Sequence, residues 1–334
     1  MKYRIYLETD LNRVFTQSLA PIAAAELDVV LTHRLATPGT HISSVDEGRT
    51  TYLAFDYDGG CDALAKQVAM LSATAALFIE QSPMSLEPVP LDQYLRYGTD
   101  LVTAQRYKGK TSERLTRLML NLALAANDAK AKHGWSVLDP MCGRGTTLNW
   151  VLLYGGRAVG LDVDRRALDN YATFLEQWAK GNRFPHKIQR YKKQNSESRH
   201  FDFTVASDRT RLASKSGPDI RVFHAPADSS SVPVGKHSMM VSDLPYGIQH
   251  QARSDAERTP TTVGELVENV MSQCAASVRT RGSVALAWNV KSLAQTEMAE
   301  ILAGTGFELI VTAGFEHRVD RTILRDVALA RRVS

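Results

Sequence analysis

The sequence predicts an α/β protein in two parts: a Rossmann-like, doubly wound sheet of seven mostly parallel strands over residues 106–334, and a small ferredoxin-like α+β unit over residues 1–81, joined by a linker at 82–105. Three observations carry this expectation. From residue 136 onward, short apolar runs alternate with helical patterns, which reads as strands joined by crossover helices. The first of those strands ends in Asp-Pro-Met-Cys-Gly-Arg-Gly-Thr, residues 139–146, a glycine turn that opens a helix. The first eighty residues follow the order βαββαβ.

Taken in order, residues 3–8 alternate apolar and polar as a half-buried strand does, and 11–27 carry an amphipathic helical pattern. Strands are expected at 29–35, 51–57 and 75–79, with a helix at 62–70. Pro83, Pro88 and Pro90 give the next stretch the composition of a linker. A long helix is expected over 112–131, where Leu115, Leu118, Met119, Leu122 and Ala126 recur at helical spacing and Thr111 is the expected N-cap. The seven strands are 137–139, 158–162, 220–223, 238–242, 283–288, 307–312 and 323–330. Residues 181–219 interrupt the alternation. This polar stretch has 9 Lys/Arg against 4 Asp/Glu, and we read it as a basic insertion containing a hairpin.

Composition narrows the class. An apolar fraction of 44% and a charged fraction of 23% are those of an ordinary globular chain. Cys61, Cys142 and Cys274 lie far apart, in neither a disulfide framework nor a zinc-ligand spacing, so a reduced, cytoplasmic chain is expected. The longest apolar run, 68–79, is too short to span a bilayer, and the N-terminal residues read as strand rather than as a leader. Residues 1–90 hold 6 Lys/Arg against 11 Asp/Glu, leaving 34 against 25 in the rest. The basic remainder fits a polyanionic partner, although solubility alone also produces such a balance.

The glycine turn has the chemistry of a nucleotide-type cofactor site. Gly143 and Gly145 let backbone approach a ligand, and Asp162 ends the next strand about 20 residues on, where a carboxylate accepts from ribose hydroxyls. Dinucleotide dehydrogenases would need a third glycine where Leu148 stands, and a phosphate loop ending in Gly109-Lys110-Thr111 would need one where Ala104 stands. The second motif, Ser242-Asp-Leu-Pro-Tyr-Gly247, follows a later strand. An ordinary turn explains it as well as function does until the chemistry is considered. The lone pair of an exocyclic amine is delocalised into its ring. A carboxylate and a carbonyl that accept its N–H bonds return electron density to the nitrogen. Asp243 and the Leu244 carbonyl are suited to this, with Pro245 fixing the turn and Tyr246 stacking on the base.

Together the two motifs resemble those of the S-adenosylmethionine-dependent amino-methyltransferases, and are closest to the tRNA guanine-N2 methyltransferases that carry a THUMP domain. The resemblance covers roughly residues 106–334 and implies a class I methyltransferase fold with no metal. It implies that Asp139, Pro140, Gly143, Gly145 and Thr146 hold the methionine part of the cofactor, that Asp162 binds its ribose, and that Asp228 contacts its adenine. It also implies that Asp243, Leu244, Pro245 and Tyr246 hold the target amine; Leu244 stands where a proline is common. Family members pair a ferredoxin-like unit with a THUMP domain, and eighty residues have room for the first only. RNA contacts are then expected from Arg106, Lys108 and Lys110 and from Arg190, Lys192 and Lys193, against the alternative of a solvated basic face. A Pro-Cys nucleophile of the carbon-methylating kind is missing, because Tyr246 follows Pro245. Cys142 reads as packing, and the nine histidines show no metal spacing. The expected activity is methyl transfer to guanine N2 in tRNA or other structured RNA. A DNA adenine-N6 methyltransferase is the nearest alternative, and a non-catalytic RNA-binding module a more distant one.

Overall fold

The structure, a computed structural model, describes all residues except 9–12, 83–84, 92–93, 108, 130–133, 193–198, 228, 230–231, 246–261, 312–313 and 334, and leaves out the side chains at 13–17, 192 and 311. The N-terminal strands are β1 (Lys2–Leu7), β2 (Ile42–Glu47), β3 (Thr50–Asp56), β4 (Thr74–Ser82) and β5 (Ser85–Val89), with helices α1 (Arg13–Arg34) and α2 (Cys61–Val68). They form one sheet in the order β2-β3-β1-β4-β5, with every neighbouring pair antiparallel.

Two expectations about this region are corrected. Residues 29–34 belong to α1 rather than to a strand. Their β-branched content suggested extended chain, but Ile22, Ala23, Glu26, Leu27, Val30 and Leu31 recur at helical spacing and are buried together. The strand itself comes later, as the polar β2, whose pairing with β3 is set by backbone hydrogen bonds rather than by an apolar face. The range read as linker contributes β5, a sheet edge where Pro88 is tolerated because that position needs no outward donor.

A short helix, α3 (Asp100–Thr103), leads to α4 (Glu113–Ala126). Ser112, not Thr111, caps α4, its hydroxyl accepting from the Leu115 amide at 3.4 Å. Strand β6 (Ser136–Asp139), helix α5 (Thr146–Leu153), β7 (Arg157–Asp162) and α6 (Arg165–Gly181) follow, then β8 (His186–Lys192), β9 (Arg199–Val205), α7 (Arg209–Ala213) and β10 (Ile220–His224). The chain continues with β11 (His237–Asp243), α8 (Val263–Cys274), β12 (Val278–Asn289), α9 (Gln295–Gly304), β13 (Phe307–Val311), β14 (His317–Arg318) and β15 (Leu324–Arg332).

The main sheet runs β13-β15-β12-β11-β6-β7-β10-β9-β8, with β14 paired to β15. Among the described residues it has ten strands rather than seven. All seven expected strands are in it; β14 and the hairpin β8–β9 are the additions. The hairpin prolongs the sheet, because β9 pairs antiparallel with β10 along its length. The central pairs β12–β11, β11–β6, β6–β7 and β7–β10 are parallel.

One apolar cluster joins α4, α5 and α6 to one sheet face and continues without a break into β1, β3 and α1 of the N-terminal unit. The other face is covered by α8 and α9. The seam under α1 encloses Glu26, which accepts from both the amide (3.0 Å) and hydroxyl (2.6 Å) of Ser72 and from the Asn121 side-chain amide (2.8 Å). Among the described residues, no helix is long and apolar enough to cross a membrane.

Candidate active site

The chain order reverses beside β6. It steps from β6 to β7 and β10 on one side, then returns to place β11 on the other. A parallel sheet opens a crevice at the carboxyl ends of its strands at such a switch point. Asp139 and Asp243 end the two strands that flank it, and Asp162 ends the next strand over.

Asp139 is 2% exposed. It accepts from the Met141 amide at 3.1 Å and from the Ser242 hydroxyl at 2.9 Å. Burial pushes its carboxyl up to about 6, against the opposing pull of hydrogen bonds from Thr147, the Met141 amide and Ser242. Ser242 immediately precedes Asp243, so this bond ties the glycine turn to the second motif.

The turn is built on backbone. The Cys142 amide donates to the Leu161 carbonyl at 2.9 Å, and the Gly145 amide to the Cys142 carbonyl at 2.8 Å. Gly143 and Gly145 have φ of +51° and +77°, the left-handed region that favours glycine. Their roles differ. A Cβ on Gly143 would meet nothing within 4 Å, so open space lies beside its backbone. A Cβ on Gly145 would fall 2.1 Å from the Tyr171 ring, so packing as well as conformation demands glycine there. Pro140 and Thr146 are buried.

Asp162 accepts from the Gly143 amide at 2.7 Å and from the Asp164 amide at 2.8 Å, one bond to each oxygen. Burial raises its carboxyl above the ordinary carboxylate value. Asp228 and Tyr246, expected at the adenine and the base, lie outside the described residues. Asp243 is half-buried. The Leu244 amide donates to the Ala287 carbonyl at 2.9 Å, which sets the direction of the chain leaving β11 towards Pro245.

Sequence reasoning missed the strap that crosses these motifs. Residues 105–107 and 109–111 run over both. Gln105 donates to the Arg144 carbonyl at 3.1 Å, and Tyr107 lies 4.6 Å beneath the Arg144 guanidinium and bonds Thr146. Thr111 donates its hydroxyl to Asp243 at 3.0 Å. The aromatic and hydroxyl residues among the basic ones were the available signal, but only tertiary structure pairs them with residues 37 to 132 positions away.

The expected RNA contacts divide. Lys110 is used inside the fold: its ammonium donates to the carbonyls of Val102 (2.6 Å) and Gln105 (2.9 Å) and pairs with Glu113, which occupies all three donors. Arg106 is exposed. Arg190 is exposed and pairs loosely with Glu176 at 3.4 Å. Lys108 and Lys193 lie outside the described residues, as does the side chain of Lys192.

No protein-family model matches the sequence, and no curated protein sequence does either. Among solved structures, the chain is similar to TrmN from Thermus thermophilus at 14% identity and a TM-score of 0.42, covering 89% of this chain and 60% of that one. The chain thus spans less than two thirds of that protein's length. It is also similar to a ribosomal protein L11 methylase from Lactobacillus delbrueckii subsp. bulgaricus, at 13% identity and a TM-score of 0.38, over 66% of this chain and 80% of that one. A magnesium protoporphyrin IX methyltransferase from Synechocystis, solved with bound SAM, matches at 13% and 0.39 over 66% of this chain and 79% of that one. All three TM-scores are below 0.5.

Proposed function

We propose that this chain transfers a methyl group from S-adenosylmethionine to an exocyclic amine of a nucleobase, guanine N2 in tRNA or another structured RNA. One observation carries the reading: the glycine turn and the Ser242-Asp-Leu-Pro245 motif lie on adjacent strands at the switch point, joined by the Ser242–Asp139 hydrogen bond of 2.9 Å. Two motifs about a hundred residues apart therefore open on the same crevice.

The residues present fit the cofactor. Each Asp162 oxygen accepts one backbone amide, which leaves acceptor capacity for two ribose hydroxyls. The open space beside Gly143 admits a ligand against bare backbone. When bound, the cofactor supplies a sulfonium methyl, and attack on it needs mainly alignment. Asp243 accepts one N–H of the target amine and is placed to hold the proton that the amine sheds. The Leu244 carbonyl accepts the other N–H. Thr111 orients the Asp243 carboxylate, and Tyr246 stacks on the base. Asp139 holds the cofactor's ammonium end, and Asp228 its adenine.

The test is transfer of labelled methyl from S-adenosylmethionine to unmodified bulk tRNA, ribosomal RNA and duplex DNA, followed by nucleoside digestion. Label in N2-methylguanosine is expected. Label only in N6-methyladenine of DNA would overturn the RNA reading, and label in no nucleic acid would overturn the nucleobase reading altogether.

A further inference from the structure

The hairpin β8–β9 carries chemistry that methyl transfer itself does not use. Its register matters first. Tyr191 lies opposite His200, and His200 opposite Phe223, so three aromatic rings cross β8, β9 and β10 in one row. Tyr191 stacks on His200 at 4.4 Å between centroids and 12° between planes, and His200 leans on Phe223 at 5.1 Å. Phe223 is buried, whereas Tyr191 is 41% exposed. Away from the two ends of the sequence, Tyr191 is the one large apolar side chain that the described residues expose. Burial pushes the His200 imidazole below its ordinary value, so at neutral pH it stacks as an uncharged ring.

Charge gathers around this row. Arg165, Arg190, Arg199, Tyr191, His200 and His224 line one concavity whose floor includes Leu168 and Phe201. Strand alternation places Arg190 and Arg199 on the α6 side and Tyr191 and His200 on the other, and residues of both sets line the concavity. Among the described residues, Arg165 and Arg190 pair with Asp169 (3.7 Å) and Glu176 (3.4 Å) near the surface, contacts that contribute little and are readily exchanged for another anion. Among the described residues, no carboxylate pairs with Arg199.

Position completes the argument. Arg199 is opposite His224, which ends β10, and His224 is opposite Asp162, which ends β7. The basic, aromatic end of the hairpin thus stands level with the crevice, not at the far end of the sheet. An exposed ring backed by two more, with guanidinium groups around the edge, is complementary to an unpaired base and its phosphates. Cross-strand aromatic pairing also stabilises a hairpin, but that role needs neither an exposed outer ring nor three arginines lining the same concavity.

Resting on the proposed activity, we propose that this hairpin is an RNA-holding arm: an unpaired nucleotide beside the target stacks on Tyr191, and Arg165, Arg190 and Arg199 hold its phosphates at the rim of the crevice. The test uses the full chain and fluorescence anisotropy with a labelled oligouridine decamer, over a series of salt concentrations. Tyr191→Ala is expected to weaken binding about tenfold, while Tyr191→Trp retains it. Arg199→Glu is expected to weaken binding by a similar factor and to lower the salt slope by about one. Arg209→Glu, on α7 at the opposite end of the sheet, serves as the charge-reversal control and leaves binding unchanged. Wild-type affinity in both Tyr191→Ala and Arg199→Glu would overturn the proposal, as would tighter binding of single-stranded DNA or of duplex RNA than of the decamer. Methyl transfer to bulk tRNA separates this idea from the activity. A raised KM in both variants supports the arm. Transfer with unchanged KM and unchanged binding overturns the arm and leaves the activity standing. Losses of binding in both variants, with no methyl transfer by the wild type, overturn the activity and leave the arm.

Discussion

Glu26 and Asp139 are the same chemical group in nearly the same surroundings, at 0% and 2% exposure. Burial raises both carboxyls above their ordinary value, and hydroxyl and amide donors oppose it at each. Their partners set them apart. Glu26 is held by Ser72 from the N-terminal unit and by Asn121 of α4, so it closes a seam between two layers of a continuous core. Asp139 is held by the glycine turn and by Ser242, so it joins two motifs at the mouth of a crevice. A buried, perturbed carboxylate is thus no signature of an active site by itself. What distinguishes the second is its place at the switch point of a parallel sheet.

Four expectations break or sharpen that contrast. The largest effect belongs to the crevice. Asp243→Ala is expected to lower methyl transfer about 10²–10³-fold, with cofactor binding by calorimetry and thermal unfolding close to wild type. Full activity with cofactor bound would remove Asp243 from the mechanism.

At the seam the loss is in stability. Glu26→Ala strands the Asn121 amide and the Ser72 amide and hydroxyl in the core and is expected to cost about 3–4 kcal/mol in denaturant unfolding. Cofactor affinity of the folded fraction should not change. If it does, the seam and the crevice are coupled.

Acid separates the two sites again. The folded value of Asp139, about 6, lies above its ordinary 3.8, so the folded protein binds that proton more tightly than the unfolded chain. Its contribution to stability is complete below 3.8 and is lost as pH rises through about 6, a change of about 3 kcal/mol. Asp139→Asn should flatten this part of the stability profile. It should also abolish the gain in cofactor affinity expected as Asp139 ionises over the same range. Glu26→Gln should flatten stability alone. An affinity profile that Asp139→Asn leaves intact would show that Asp139 does not hold the cofactor's ammonium end.

The smallest effect is at the strap. Thr111→Val removes one hydrogen bond to Asp243 and is expected to lower kcat about fivefold with KM nearly unchanged, while Thr111→Ser restores it. No change in kcat would make the 3.0 Å contact a packing detail.

The comparison also shows what was legible in the chain. Local patterns disclosed the glycine turn, Asp162 and the Asp243-Leu-Pro motif, because strand ends and turns are written in short runs of apolar, glycine and proline residues. The same patterns misplaced a strand at 29–35, where β-branched residues continue α1, and missed β2, whose polar residues hold a sheet edge. Both errors concern residues whose state is decided by what they pack against rather than by neighbours in sequence.

By itself, then, the sequence determined seven of the strands of the main sheet and the short motifs that end β6, β7 and β11. Tertiary structure alone decided that Ser242 meets Asp139, that Thr111 serves Asp243 rather than capping a helix, and that Lys110 is spent on carbonyls. It also decided that the basic insertion becomes an edge of the sheet with its aromatic row level with the crevice. Spacing along the chain carries helix and strand periods, but which strands lie side by side is set by burying apolar faces and closing backbone hydrogen bonds over the whole sheet.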